Sequence, residues 1–352
     1  MKLKFPAENL FLVEGLVNRI WYTKLKIRSR FSRKIRVGFG PIATGEDNLA
    51  ERKWRIDPII DEMNRQSAKY TADCFIHPHE MENFDINVIV KRFHSDSIPM
   101  IEKLKKMGKK FIYDIVDNPN AGRRHRVYFG DCPEFSSQMD AFILSSPLHE
   151  SDAKKFTDRY SLIEHPIINH FYKNDYEFGE RIKILAHGYF ENLKVFKELE
   201  PLIDDVSRKI GRPITLIYHS EKIFENTESV RYVKWTVENS FRALLDADIA
   251  ITAKDLLQRF QKAKPSTKVI TFLAAGLPVV CTPSPADELI LQNGKTALFA
   301  YSPDDWKRCL TLLCTDQKLR EALGRGGRAR VIQDFSVAQI TRKYLALLDR
   351  LF

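Results

Sequence analysis

Between Lys264 and Thr271 the chain reads Lys-Pro-Ser-Thr-Lys-Val-Ile-Thr, a stretch with the chemistry of an anion site. Ser266 can cap a helix running from Thr267 to Ala275, with Gly276 at its C-terminal stop. The first turn of that helix carries free amide N–H groups and a partial positive charge, with Thr267 and Lys268 standing in it. Lys264 adds a second cation just ahead of the cap. Cations at a helix N-terminus oppose its dipole, so two of them there call for a ligand, and a diphosphate fits. The plainer reading is that both lysines only solvate a helix end.

Other residues carry weaker signals. Gly188 follows the run Ile182–Leu185 and either lets the backbone approach phosphates or is a plain turn glycine; Lys194 is a further cation nearby. Asp114 and Asp117 end the run that starts at Phe111, where a carboxylate facing a cleft can orient a hydroxyl. Asn118-Pro119 gives Asp117 a turn reading as well. His94 lies past the end of Ile86–Val90 and either faces an acceptor or is a surface histidine. Arg52 and Arg55 either greet a phosphorylated acceptor or form a solvated helix face.

The elements that must hold these residues alternate short apolar runs with amphipathic charged stretches, the pattern of a parallel α/β sheet. Ile35–Phe39, Cys74–Ile76, Ile86–Val90, Phe111–Val116, Ala141–Leu144 and Ser161–Ile163 read as strands. The pattern then starts again with Ile182–Leu185, Ile214–Tyr218, Val230–Val233, Asp248–Ile251 and Pro278–Val280. A helix is expected through Val195, Leu199 and Ile203, and Thr236 can cap another that ends at Asp246. Two doubly wound sheets in tandem make the cleft between them the natural ligand site.

The 352 residues are enough for two such domains, and 44% hydrophobic with 29% charged residues is the balance of a folded chain. Five scattered cysteines argue against a disulfide framework and a zinc site. No apolar run reaches membrane-span length, and no cleavable leader is recognised, so the expectation is a soluble cytoplasmic protein. Lysines and arginines (56) outnumber aspartates and glutamates (46), a net charge of +10. Much of it sits between Lys24 and Arg36, just after apolar residues at helical spacing (Leu10, Val13, Val17, Ile20). That layout suits either an interfacial helix, touching the cytoplasmic face of a membrane through residues 10–36, or a helix packed on protein. No nucleic-acid motif is recognised, and nucleic acid is not expected as a partner.

From Lys264 to Phe335 the succession Lys264-Pro-Ser-Thr-Lys268, Ala274-Ala-Gly276-Leu-Pro-Val, Asp287-Glu288, Asn293-Gly294 and Asp334-Phe335 resembles the donor-binding half of GT-B glycosyltransferases. Glycosyltransferase family 4 is the group it resembles most. The resemblance implies an α/β fold of two Rossmann-like, doubly wound domains facing a central cleft. The chain is expected to divide into a basic N-terminal segment (1–34), an acceptor-side domain (35–175), a nucleotide-sugar domain (176–335) and a C-terminal helix (336–352) crossing back to the first. The resemblance places Gly45 in a loop near the transferred sugar, Glu288 near the donor, and Asp117 where the family has a catalytic or sugar-contacting histidine. Glu288 also reads as a helix-dipole carboxylate.

The family's two glutamates, eight positions apart, correspond here to Ala263 and Thr271, neither of which is a carboxylate. Thr271 can still hydrogen-bond a hydroxyl. By resemblance the leaving diphosphate meets lysines and helix amides, so no metal or cofactor is expected beyond the nucleotide sugar. The expected activity is retaining transfer of a hexosyl unit to a glycan or lipid-linked acceptor in cell-surface polysaccharide synthesis. A degenerate partner subunit and a nucleotide-sugar epimerase are the alternatives.

Overall fold

The computed structural model describes residues 34–42, 52–91, 93, 95–116, 128–168 and 172–352. Residues 1–33, with the basic amphipathic segment, lie outside them, as do Gly45, His94 and Asp117.

The first domain is a six-stranded parallel sheet of β1 (Ile35–Gly40), β2 (Tyr70–Cys74), β3 (Ile86–Val90), β4 (Lys110–Asp114), β5 (Ala141–Leu144) and β6 (Tyr160–Leu162), in the order β2-β1-β3-β4-β5-β6. The strands β3 and β5 are buried at every residue; β5 is accordingly an unbroken apolar run, while β3 carries one buried polar residue, Asn87. The strand expected at Cys74–Ile76 ends at Cys74 instead. It runs back to Tyr70, because Tyr70, Ala72 and Cys74 point inward between half-buried Thr71 and Asp73. A π-helical turn, Arg52–Ile56, leads into α1 (Asp57–Gln66), and α2 is Ile98–Lys106.

The second domain repeats the plan with β7 (Ile182–His187), β8 (Ile214–Ser220), β9 (Val230–Lys234), β10 (Ile249–Thr252), β11 (Val279–Cys281) and β12 (Leu298–Phe299), all parallel, in the order β12-β11-β10-β7-β8-β9. Its helices include α3 (Glu200–Ile210), α4 (Val237–Asp246) and α5 (Thr267–Ala274), followed by α6 (Pro303–Thr315), α7 (Gln317–Phe335) and α8 (Val337–Asp349). The helix expected from Val195 through Ile203 is broken. Short helical turns precede α3, whose proline at Pro201 starts a new first turn. Thr236 caps α4 by accepting from the Asn239 amide at 3.0 Å.

The last helix belongs to the first domain. On α8, Tyr344 donates to Asp114 at 2.6 Å, Lys343 pairs with Glu164 at 2.6 Å, and Asp349 accepts from Tyr70 at 2.7 Å. Beside this crossing, Ile167 N–H donates to Phe335 O at 2.8 Å, so two strands of chain join the domains. One apolar core runs through the joint, from Val37 and Ile59 by way of Ile167 and Phe335 to Leu273 and Leu347.

Candidate functional site

The cleft between the sheets has a hollow lined by Trp54, His165 and Ile167 of the first domain and by Phe241, Thr267 and Thr271 of the second. The N-terminal turn of α5 therefore faces the first domain. Parallel strands put their C-terminal ends on one edge, and the loops after β7 and β10 close around that turn.

Gly188 follows β7 at φ +139°, a conformation for which glycine is suited. The ammonium of Lys268 lies directly over it. A Cβ on Gly188 would stand 2.4 Å from Lys268 Nζ and 2.7 Å from its Cε. Burial pushes the Lys268 ammonium down to about 7, and the charges of Lys264 and Lys254 push the same way against Asp287. The ammonium of Lys264 sits 4.7 Å over the Phe260 ring.

Ser266 does not cap α5. Its backbone has φ −87° and ψ 22°, its side chain makes no cap bond, and its hydroxyl is buried with no partner among the described residues. The helix runs Thr267–Ala274, one residue short of the expected end, with Gly276 at φ +73° beyond it. An uncapped first turn keeps its amides open toward the cleft. Thr271 spends its hydroxyl on its own helix, donating to Thr267 O at 2.8 Å, and Ala263 is fully buried.

The support beneath this site comes from residues the sequence reading missed. Lys254 donates to Asp287 at 2.9 and 3.1 Å, to Ser284 Oγ at 2.8 Å, and to the carbonyls of Lys264 and Pro265 at 3.2 and 3.3 Å. Asp287 in turn accepts from Ser284 N at 2.9 Å and Oγ at 2.8 Å. One buried ion pair thus ties the loop after β10, the approach to α5 and the short helix Pro285–Glu288 together. The signal lay in the family resemblance, since Lys254 to Lys262 stands where such enzymes commonly have a glycine-rich loop.

Other expected residues lie elsewhere. Glu288 is exposed and next to buried Asp287. Lys194 forms an exposed pair with Glu191 at 2.6 Å. Arg52 approaches Asp57 at 3.4 Å on the surface.

The acceptor-facing reading of Arg55 and the catalytic reading of Asp114 need correction, because both side chains are 1% exposed and bound to each other. Two hydrogen bonds of 3.0 Å join them, and Tyr344 completes the set. Burial alone would lower the Arg55 guanidinium, but Asp114, Tyr344 and Glu164 together outweigh it and hold it above its ordinary value. Neither group is free to meet a substrate; they lock α8 to the first sheet.

Across the cleft, Arg259 pairs with Asp152 at 2.9 Å and lies 5.2 Å over the ring of Tyr128, whose hydroxyl donates to Asp152 at 2.6 Å. Trp54 and His187 face each other nearly parallel, 6.4 Å apart. Among the described residues, no group of three His, Cys, Asp or Glu is arranged to hold a metal ion, and no helix is long and apolar enough to cross a membrane.

Two parallel Rossmann-like sheets facing a cleft, with the last helix returned to the first domain, define a GT-B fold. Residues 201–346 match the family described as glycosyl transferase-like, so the chain carries a glycosyltransferase-like domain. Sucrose-phosphate synthase from Thermosynechococcus elongatus is similar in structure, with TM-score 0.62 and 12% identity over 91% of this chain and 99% of that one. Anabaena HepE in complex with UDP and glucose aligns with TM-score 0.63 and 10% identity, over 90% and 100% of the two chains. AviGT4, a glycosyltransferase involved in avilamycin A biosynthesis, gives TM-score 0.57 and 13% identity over 90% and 98%. No curated protein matches the sequence.

Proposed function

We propose that this protein transfers a hexosyl unit from a nucleotide sugar, bound by the second domain, to a glycan or lipid-linked acceptor on the first. The observation that carries the reading is the Lys268 ammonium folded over Gly188 at the open first turn of α5, facing the cleft. A diphosphate there gains a cation, free helix amides and a backbone it can approach closely. These stabilise the charge that develops as the sugar leaves, which is what the reaction needs most. The reading extends to retention of configuration, transfer without a metal or other cofactor, a role in cell-surface polysaccharide synthesis, and peripheral contact of residues 10–36 with the cytoplasmic face of a membrane. The nucleotide and sugar named with HepE support trying uridine nucleotides first.

A degenerate partner subunit is the second reading. It is favoured by Ala263 and Thr271, since the first is a buried methyl group and the hydroxyl of the second is held by its own helix. A thermal-shift screen with UDP, GDP, CMP, TDP and ADP, alone and as nucleotide sugars, separates the two when followed by a turnover assay. Stabilisation by one nucleotide family, lost in Lys268→Ala, together with sugar transfer, is the outcome expected of the enzyme. Well-folded protein that none of them stabilises would refute the donor site.

A further inference from the structure

The chain is tied at the joint between the domains and again across the cleft, and the two ties are built differently. At the joint, Arg55, Asp114 and Tyr344 fix α8 to the first sheet with side chains sealed from water. Parting Arg55 from Asp114 would leave two buried charges unpaired, so that tie holds throughout. Across the cleft, Arg259 and Asp152 are 2.9 Å apart, but their side chains are 70% and 9% exposed. When they part, the guanidinium returns to water, while Asp152 keeps Lys155 at 2.7 Å and the Tyr128 hydroxyl at 2.6 Å. Neither group is left bare, so this contact can break and re-form.

Arg259 stands midway along residues 253–266, the segment between β10 and α5. The base of the segment is pinned to its own domain, where Lys254 binds Asp287 and the carbonyls of Lys264 and Pro265. Its bend is braced from within, since Asp255 accepts from the Leu257 amide at 3.0 Å and from the Gln258 side chain at 2.8 Å. Its far side rests on the first domain. There the Arg259 guanidinium lies 5.2 Å over the Tyr128 ring, and the Ala263 carbonyl stands beside the ring of His149, itself 3.1 Å from the Tyr128 hydroxyl. The segment is a braced strap, and it runs directly into the turn that carries Lys268.

We propose that this strap is a gate over the cleft and that Arg259 is its latch, a positioning residue that holds the strap on Asp152 and lets go when a nucleotide enters or leaves. The gating role rests on the cleft's holding a nucleotide, as proposed above. One exposed ion pair with a ring contact favours the closed form about fivefold, a bias small enough to be broken at every passage.

Electron–electron resonance between spin labels on Met107→Cys and Leu257→Cys, both exposed, in a Cys132→Ser background tests the latch without ligand. The ratio of longer to shorter distances should rise about fivefold when Arg259→Gln is added. An unchanged distribution would overturn the proposal. Stopped-flow binding of UDP, GDP, CMP, TDP and ADP tests the gate. In Arg259→Gln the entry and exit rates of the nucleotide that binds should both rise about fivefold, with Kd held within about twofold, because a gate slows passage in both directions. Arg259→Lys keeps the charge but loses the flat fork over Tyr128, and should fall between the two. A Kd weakened through the exit rate alone would make Arg259 a ligand contact and overturn the latch, as would unchanged rates. Failure of the unsubstituted chain to bind any of the five would refute the nucleotide reading instead, and the label distances would still decide whether the latch exists.

Discussion

Replacing Gly188 with alanine strikes the cradle at its tightest point. The added Cβ would lie 2.4 Å from Lys268 Nζ, where non-bonded atoms prefer about 3.5 Å or more, so the ammonium must retreat by roughly 1 Å. A lysine tip moves easily, and the cost to folding comes mainly from φ +139°, about 1–3 kcal/mol for a residue with a side chain. The cost to binding is larger in proportion. Losing one hydrogen bond to a charged group removes about 1.5–3 kcal/mol, roughly 10- to 150-fold in Kd. The assay is thermal or urea unfolding with and without the nucleotide that stabilises the original chain. At a ligand concentration of about 100 Kd the original gains about 2.7 kcal/mol, whereas a site weakened about 100-fold gains only about 0.4 kcal/mol. Gly188→Ala gaining the same ligand stabilisation as the original chain would refute the placement of the diphosphate.

Asp287→Asn should destabilise the second domain by about 3–5 kcal/mol, because Lys254 is left charged and buried beside Lys264 and Lys268; urea unfolding of the variant checks it. Lys268 makes a pH dependence. Its ordinary value of 10.5 is lowered to about 7, so below about pH 7 it is charged in both folded and unfolded chains and the full penalty is present. Between about 7 and 10.5 the unfolded chain keeps a proton that the folded chain has shed, so stability should rise with pH relative to Lys268→Met. Over the same range affinity for nucleoside diphosphates should fall in the original chain and stay flat in the variant, measured by calorimetry.

Much of the candidate site was legible because its parts are adjacent in sequence. The run Lys264-Pro-Ser-Thr-Lys268 announces a charged helix start, and the helix begins at Thr267 with Lys268 in its first turn. The reading failed where residue type alone does not decide what a side chain meets. Ser266 has the residue type of a cap, yet its backbone dihedrals keep its hydroxyl from the amide three residues on. Arg55 and Asp114 look like cleft residues when each is read alone. Their burial follows from meeting each other and Tyr344, at separations of 59 and 230 residues.

Periodicity and turn chemistry were enough to lay out the two sheets except for the two-residue edge strand β12, too short to show a pattern. A strand buried on both faces, such as β5, reads as an apolar run, and a helix stops where glycine adopts positive φ, as Gly276 does. Those are short-range demands, and each is met by a few neighbouring residues. The tertiary structure alone decided which charged groups became scaffold and which stayed at the cleft. Lys254 and Asp287 are spent on each other, while Lys268, between them in the chain, is left over Gly188. The order β12-β11-β10-β7-β8-β9 sets the ends of β7 and β10 side by side, and a buried charge takes the partner that this order brings within reach.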